Sequence, residues 1–290
     1  LNDSNRLKKT LLMFSYIVIV LQVGLRWETG TDWNSYLYYF NNFNTLMDVI
    51  EYSRIEPAYV LFTLLVKIIS SNYTFFLVVH AIIFHYLIFE GLKKYAYYVF
   101  PALLMYYVLF IGLMGSNRQL LALAICFYAI RYILEDKKKK FLLAIVIAFF
   151  FHKSALIFSV YYFLNRKFSL PVILTTTLVA LVIGMTSIPI LVFSGFTERF
   201  FDESAVYKAT HYLSSDGNES SLGLSITGLV KRVVLVFVFY KVSLKIEKQL
   251  PLYNLIFNGY LVGVNIYFMF SKSLLIIVNR GSLYFNIMEP

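Results

Sequence analysis

The sequence has little charge: Asp, Glu, Lys and Arg make up only 14% of its 290 residues. A typical soluble domain has roughly 25% charged residues. Because 59% of the residues are hydrophobic, too few polar side chains remain to cover a soluble globule. This scarcity excludes an ordinary soluble domain and predicts an integral membrane protein.

Cysteine and metal-binding motifs are also scarce. The single Cys126 lies in an apolar run, which excludes a disulfide within the chain and favours a small core residue. We find no HExxH, Cys/His ligand set, DxD pair, P-loop or GxSxG motif, and His80 and His85 do not share a helix face. We therefore predict no metal and no cofactor, and metal-dependent nucleotide-sugar chemistry and ATP hydrolysis are unsupported.

The chain lacks the alternating pattern of barrel strands and instead has long runs without charge, such as residues 95–117 and 168–197. A spanning helix needs about 20 apolar residues. We predict an all-α, polytopic membrane helical bundle, GT-C-like, with about 9–11 membrane helices and one or two short or re-entrant elements. The predicted segments are 10–25, 55–71, 73–91, 95–115, 118–135, 141–164, 170–195, 224–244, 252–271 and one from 273.

Without internal repeats or long linkers, residues 1–290 are predicted to form a single transmembrane domain, and we expect both termini to be incomplete. The net charge is +10, which in a membrane protein indicates cytoplasmic loops rather than nucleic-acid binding. Basic residues at 6–9, 137–140 and 241–248 place the loops 26–56 and 196–222 outside. Two intervals, from Glu56 outside to Lys93 inside and from Lys140 inside to Glu198 outside, each contain two segments where an odd number is needed. One element in each interval is therefore predicted to be short or re-entrant. In the second interval the better candidate is 141–164, since His152 and Lys153 interrupt it.

Charged residues inside apolar segments are costly and usually face a cavity. Arg118 and Gln119 open a helix after a Gly-Ser-Asn turn, where Ser116 or Asn117 can cap the first amides. An Arg in the first turn opposes the helix dipole, so an anion should compensate it. That anion is a phosphate or carboxylate ligand, unless Arg118 reaches lipid headgroups.

Five further residues are candidates by the same reasoning. His152 and Lys153 lie in the middle of an apolar run and are candidates for a general base and a phosphate contact, or for a structural polar pair. Lys231 and Arg232 lie about two turns into a later helix, and Lys231, Arg232 and the isolated Arg280 are candidate anion-binding residues.

The first outer loop carries Arg26, Glu28, Asp32 and Glu56. Asp32 precedes a short amphipathic stretch at 33–43, which favours an ordinary N-cap. Trp27 and Trp33 are typical of a membrane-interface belt. On chemistry alone, therefore, the structural interpretation of this loop is the stronger one.

Together these residues resemble the EpsG-type polysaccharide polymerases, which are relatives of the Wzy O-antigen polymerases. Three stretches and one late Arg carry the resemblance, and no one of them is specific alone. They are Arg26 with Gly30-Thr31-Asp32, Tyr36 and Glu56; Arg118-Gln119 with the lysines at 137–140; His152-Lys153-Ser154-Ala155; and Arg280 before Tyr284-Phe285.

The resemblance implies a metal-independent membrane glycosyltransferase at the outer face of the bacterial inner membrane. Such an enzyme moves a growing glycan from undecaprenyl diphosphate to a sugar hydroxyl of the next lipid-linked unit. Its implied partners are undecaprenyl-diphosphate-linked oligosaccharides, membrane lipids and a chain-length regulator. In this interpretation the base is Asp32 or His152, Arg26 and Glu56 orient the base or the sugar, and the cations that bind diphosphate are Arg118, Lys231, Arg232 and Arg280.

Other classes stay open. A transporter or flippase of lipid-linked sugars predicts inverted repeats and broken helices in corresponding halves. An O-antigen ligase or membrane acyltransferase would use a membrane-embedded His in a similar way, so His152 does not discriminate between them. A structural or regulatory membrane subunit is a further alternative.

Overall fold

A computed structural model describes residues 3–30, 32–111, 113–200, 226–246, 250–274, 277–278 and 281–286. Within these ranges every regular element is helical and no strand occurs. The chain divides into two compact units, residues 1–159 and 160–290. The predicted single domain stays a prediction.

The first unit contains eight described α-helices, followed by a 3₁₀ helix at the boundary with the second. They are α1 (Asp3–Gly24), α2 (Trp33–Asn42), α3 (Asp48–Glu51), α4 (Pro57–Ile69), α5 (Tyr73–Tyr95), α6 (Val99–Ile111), α7 (Asn117–Leu134), α8 (Lys138–Phe151) and the 3₁₀ helix Lys153–Phe163. The described elements of the second unit are α9 (Leu170–Gly184), α10 (Ile188–Phe200), α11 (Ile226–Lys245), α12 (Pro251–Phe270) and α13 (Leu283–Asn286).

Helix boundaries follow local sequence signals. Pro57, Pro171 and Pro251 stand in the first turns of α4, α9 and α12, where a missing N–H costs no hydrogen bond. Asn72 caps α5 by accepting a hydrogen bond of 3.1 Å from the amide of Phe75. The predicted starts of these helices are therefore confirmed to within about two residues.

Among the described helices, two (α1 and α5) combine the length and apolarity needed to cross a membrane. The bent pair α9 and α10 makes a third candidate if it is counted as one span. The chain is thus an all-helical membrane protein in its described parts. The larger predicted count and the GT-C-like arrangement stay predictions.

The helices break where the sequence places polar residues or small turns. α8 ends at Phe151, His152 is extended at φ −159° and ψ 120°, and a 3₁₀ helix follows. This confirms the interruption predicted in 141–164. The 13 residues of α4 reach only about 20 Å, which suits the short element predicted in the first interval. The segment 170–195 differs from the prediction because it consists of two helices bent by 78°.

In the first unit the long helices place charged groups at both ends. α5 packs on α1 and α7, and α7 packs on α8. At one end, Lys94 and Lys137 both pair with Glu135, just after α7. Hydrogen bonds from these lysines lower the pKa of Glu135 to about 2. The opposite end of α7 carries Asn117 and Arg118.

In the second unit α9 packs on α12 through a glycine. A Cβ on Gly184 would stand 2.0 Å from the carbonyl oxygen of Phe268. Such a contact is possible only because glycine lacks a side chain. The close approach of the two helices therefore depends on Gly184.

We expect Gly184→Ala to lower the melting temperature of the purified protein, because overpacking of this kind costs about 1–3 kcal/mol. Gly195→Ala is the matched control, since no other atom of the described residues lies within 4 Å of a Cβ placed there. Thermal unfolding in detergent, followed by intrinsic fluorescence, measures both variants. Equal melting temperatures for Gly184→Ala and the wild type would contradict the close α9–α12 contact.

Candidate functional site

The centre of the candidate site is an ion pair between α7 and the start of α4. Arg118 is the second residue of α7, and its Nη1 donates to Glu56 Oε2. The side chain of Arg118 is 21% exposed and that of Glu56 is 8% exposed. An anion was expected near Arg118, because a positive charge in the first turn of a helix is unfavourable. In the structure that anion is the carboxylate of Glu56.

Glu56 also connects to the break after α8. Its Oε1 accepts a hydrogen bond of 3.2 Å from the backbone amide of Lys153. The Lys153 side chain is exposed. Next to it, His152 Nδ1 lies 2.6 Å from Ser154 Oγ. Both oxygens of Glu56 are therefore engaged, which suits an orienting group better than a general base.

Tyr36 of α2 covers the ion pair from another side. Its hydroxyl accepts a hydrogen bond of 3.3 Å from Arg118 Nε, and its ring centre lies 5.8 Å from the guanidinium carbon. Burial raises the pKa of Tyr36, although the charge of Arg118 acts in the opposite direction. The hydroxyl is therefore neutral near pH 7 and also has a proton to donate.

Asp32 stands at the N-cap of α2, half-buried, and acts electrostatically on Tyr36. Its side chain makes no capping hydrogen bond. Asp32 thus takes the predicted N-cap position of the confirmed helix, but without a side-chain capping bond. The interface-belt prediction for Trp33 fails, since this ring is buried and lies 5.2 Å from the ring of Tyr73.

A contact between two glycine-containing loops brings the Arg26 loop against the turn before α7. Gly30 has φ 103° and Gly115 has φ 110°, which only glycine adopts readily. A Cβ on Gly30 would lie 2.7 Å from the Cα of Gly115. The two backbones therefore touch directly, close to where α7 begins.

Arg26 is held at this junction and is only 8% exposed. Its Nη1 donates to the carbonyl of Val23 at 2.9 Å, and its Nη2 donates to Asn117 Oδ1 at 2.7 Å. Asn117 was predicted as a possible cap, but its side chain oxygen is used by Arg26. Ser116 takes the N-cap position without a side-chain capping bond.

The backbone of Asn117 is held by His80 of α5. His80 Nε2 lies 2.9 Å from the carbonyl oxygen of Asn117. Because a carbonyl oxygen can only accept, Nε2 must carry the proton. His85 contacts Tyr106 instead, with 2.9 Å between Nδ1 and the hydroxyl.

In the described parts of the chain, no group of three or more His, Cys, Asp or Glu residues lies together as a metal site.

The structure thus brings Arg26, Glu56 and Arg118 together with the amide of Lys153. Gln119, next to Arg118, is buried. In the second unit, Lys231 is exposed and the Arg232 guanidinium lies 3.5 Å from the ring centre of Tyr267. Arg280 and most of the loop 196–222 lie outside the described residues. The predicted shared site of Arg118, Lys231, Arg232 and Arg280 stays a prediction.

Sequence reasoning did not assign Asn117, His80 or Tyr36 to the site. The available signal was polarity in an apolar context: Asn117 adjoins Arg118, and His80 lies in the middle of α5. Tyr36 was part of the recognised pattern but had no role. Their partners are 37 to 91 residues away in sequence, so spacing alone could not identify them.

Comparison with known proteins identifies one family. The sequence model of the EpsG family matches residues 9–290. No curated protein matches the chain, and no solved structure does.

We expect Glu56→Gln to destabilise the protein, because breaking a buried ion pair on one side leaves the other charge unpaired and costs about 3–5 kcal/mol. The glutamine keeps the shape and one acceptor oxygen, so the variant removes mainly charge. Glu51→Gln, at an exposed position five residues earlier, is the matched control. The measurement is the melting temperature in detergent.

A double-mutant cycle with Arg118→Met completes this test. If the pair is coupled, the double variant is more stable than the sum of the single changes predicts. Strictly additive effects would contradict an energetic link between Arg118 and Glu56.

Proposed function

Since the chain belongs to the EpsG family, we propose that it is a membrane polymerase of lipid-linked oligosaccharides. The family is associated with exopolysaccharide and with glycosyltransferase-like polymerases. In the proposed reaction a growing glycan passes from undecaprenyl diphosphate to a sugar hydroxyl of the next lipid-linked unit. The observation that carries the proposal is the Arg118–Glu56 pair, partly buried beside Arg26 and Tyr36.

The distribution of charge supports an outward-facing site. The ion pair lies at the start of α7, and the lysines that pair with Glu135 lie at its other end. The 18 residues of α7 separate these ends by about 27 Å. Because Lys and Arg favour the cytoplasmic side, we propose that the Arg118 end faces the outside of the bacterial inner membrane.

The proposed chemistry needs one base and several cations. The acceptor hydroxyl oxygen attacks the anomeric carbon of the donor glycan, the bond from that carbon to the phosphate oxygen breaks, and lipid diphosphate leaves with the electron pair. Arg118, fixed by Glu56 and Tyr36, is placed to stabilise the departing charge. Because both substrates are held by lipid, positioning supplies a large part of the rate.

The proton of the acceptor hydroxyl passes to Asp32 or His152 in this proposal. Asp32 is half-buried beside Tyr36, and His152 adjoins the amide that binds Glu56. Glu56 is a weaker candidate since an arginine and an amide occupy its oxygens. A base must lie about 3 Å from the proton it takes in the substrate complex.

A transporter of lipid-linked sugars is the second candidate, favoured by the break at His152 and the 78° bend between α9 and α10. Purified protein in detergent separates the two functions, because no membrane needs to be crossed there. A polymerase lengthens lipid-linked units in this preparation, whereas a transporter leaves them unchanged.

We expect Arg118→Ala to abolish long glycan chains while lipid-linked single units accumulate. The reason is the loss of charge stabilisation on the leaving diphosphate, where one such contact is worth about 10²–10³ in rate. The measurement is the ladder of glycan lengths on a gel, from cells with equal amounts of membrane-inserted protein. Arg54→Ala, at an exposed arginine of the same unit, is the control and should retain the full ladder. A full-length ladder from stably expressed Arg118→Ala protein would remove Arg118 from the proposed mechanism.

A further inference from the structure

Arg26 is a buried cation whose charge is not offset within the described parts of the chain. The ion pairs there involve other residues, and Arg118 takes the nearby carboxylate of Glu56. The electrostatic neighbours of Arg26 are the hydroxyl groups of Tyr73 and Tyr59. Burial of a charge without a counter-ion is strongly unfavourable, so this position calls for an anion.

Unpartnered polar atoms surround the same point. Among the described residues, Arg26 Nε and the Tyr73 hydroxyl are both buried, and neither forms a hydrogen bond of normal distance and angle. Both groups adjoin Asn117, since Arg26 Nη2 donates to its side-chain oxygen and the Tyr73 hydroxyl interacts with its side chain. Buried polar atoms are normally satisfied, and here two that can both donate lie beside one asparagine.

Rigid neighbours hold these donors in place. Two of the five N–H groups of Arg26 are used for Val23 and Asn117, which fixes the guanidinium while its Nε remains free. His80 fixes the backbone of Asn117, and the ring of Tyr73 packs against Trp33 and Phe40. A site whose donors are locked before the ligand arrives loses little entropy on binding.

A buried water molecule could hydrogen-bond to these atoms but would not balance the charge of Arg26. An oxyanion does both, and an arginine with a neighbouring hydroxyl is well suited to phosphate oxygens. We propose that Arg26 and Tyr73, held around Asn117, bind one phosphate group of the lipid-linked diphosphate substrate. The identity of this ligand rests on the proposed function; the need for an anion does not.

The proposal gives the two neighbouring arginines different tasks. Arg118 is already neutralised by Glu56 and hydrogen-bonds to Tyr36, so its geometry is set without substrate. Arg26 keeps an unbalanced charge and therefore supplies affinity for the anion. The next residue, Trp27, is 59% exposed, so the chain reaches the surface of the protein directly after Arg26.

The test uses the full chain, purified in detergent, with geranyl diphosphate as the probe and thermal unfolding as the readout. A ligand that binds only the folded state raises the melting temperature, and the stabilisation grows with the logarithm of 1 + [L]/Kd, so a titration gives the apparent affinity. We expect Arg26→Met and Tyr73→Phe each to weaken the apparent affinity about tenfold or more, as for a lost hydrogen bond to a charged group. Arg54→Met is the matched control and should bind as the wild type does.

Tyr73→Phe removes a single oxygen, so it keeps the test decisive if Arg26→Met fails to fold. Arg26→Lys should bind more tightly than Arg26→Met, since it keeps the charge but not the fork. Wild-type affinity in both Arg26→Met and Tyr73→Phe overturns the proposal. Equal protection by geraniol, which has no phosphate, overturns it as well.

Two further measurements separate this inference from the proposed function and from a site for free diphosphate. Equal affinity for inorganic diphosphate and geranyl diphosphate would overturn the lipid-linked ligand. Arg26-dependent binding by purified protein that does not lengthen lipid-linked units in detergent would support the anion site and contradict the proposed polymerase. Lost ladders in Arg118→Ala, with normal binding by Arg26→Met and Tyr73→Phe, would contradict the inference alone.

Discussion

The Arg118–Glu56 ion pair is the interaction on which the rest of the candidate site depends. It joins the start of α7 to the start of α4, and through the Lys153 amide it also joins the break after α8. Each of these points leaves polar backbone or charge in an apolar protein, which is tolerated only where partners satisfy it. The pair therefore lets three helix ends meet at one place, and the third of these ends is the non-helical backbone at His152.

Asn117 divides the site into two parts with different charge balance. Its side-chain oxygen accepts a hydrogen bond from Arg26, and its carbonyl oxygen accepts one from His80. The next residue in the chain is Arg118. Arg118 is paired with the carboxylate of Glu56, whereas the described groups that contact Arg26 are hydroxyl and amide groups. A single turn at the start of α7 thus separates a balanced cation from an unbalanced one, which is an arrangement that charge counting along the sequence cannot show.

Much of the fold could be predicted, because its signals are local. Prolines at 57, 171 and 251 begin helices, and His152 ends one, since proline and buried polar residues act on the backbone next to them. The site could be predicted only as a set of candidates. Arg118 needed an anion, but Glu28, Asp32 and Glu56 were all available in the same loop, and the choice depends on how α4 packs. Asn117 does not cap α7 for a related reason, since a tertiary partner, Arg26, takes its side-chain oxygen.

The contrast between the two arginines has a physical rationale if the protein acts on lipid diphosphates. A site made only of unpaired cations would bind the leaving diphosphate tightly in every state and would slow its release. A site made only of paired cations would have little affinity for it. Combining one arginine that is held by a carboxylate with one that is not allows orientation and affinity to be set separately. In a low-dielectric environment this separation matters more than in water, since each unbalanced charge acts over a longer distance there.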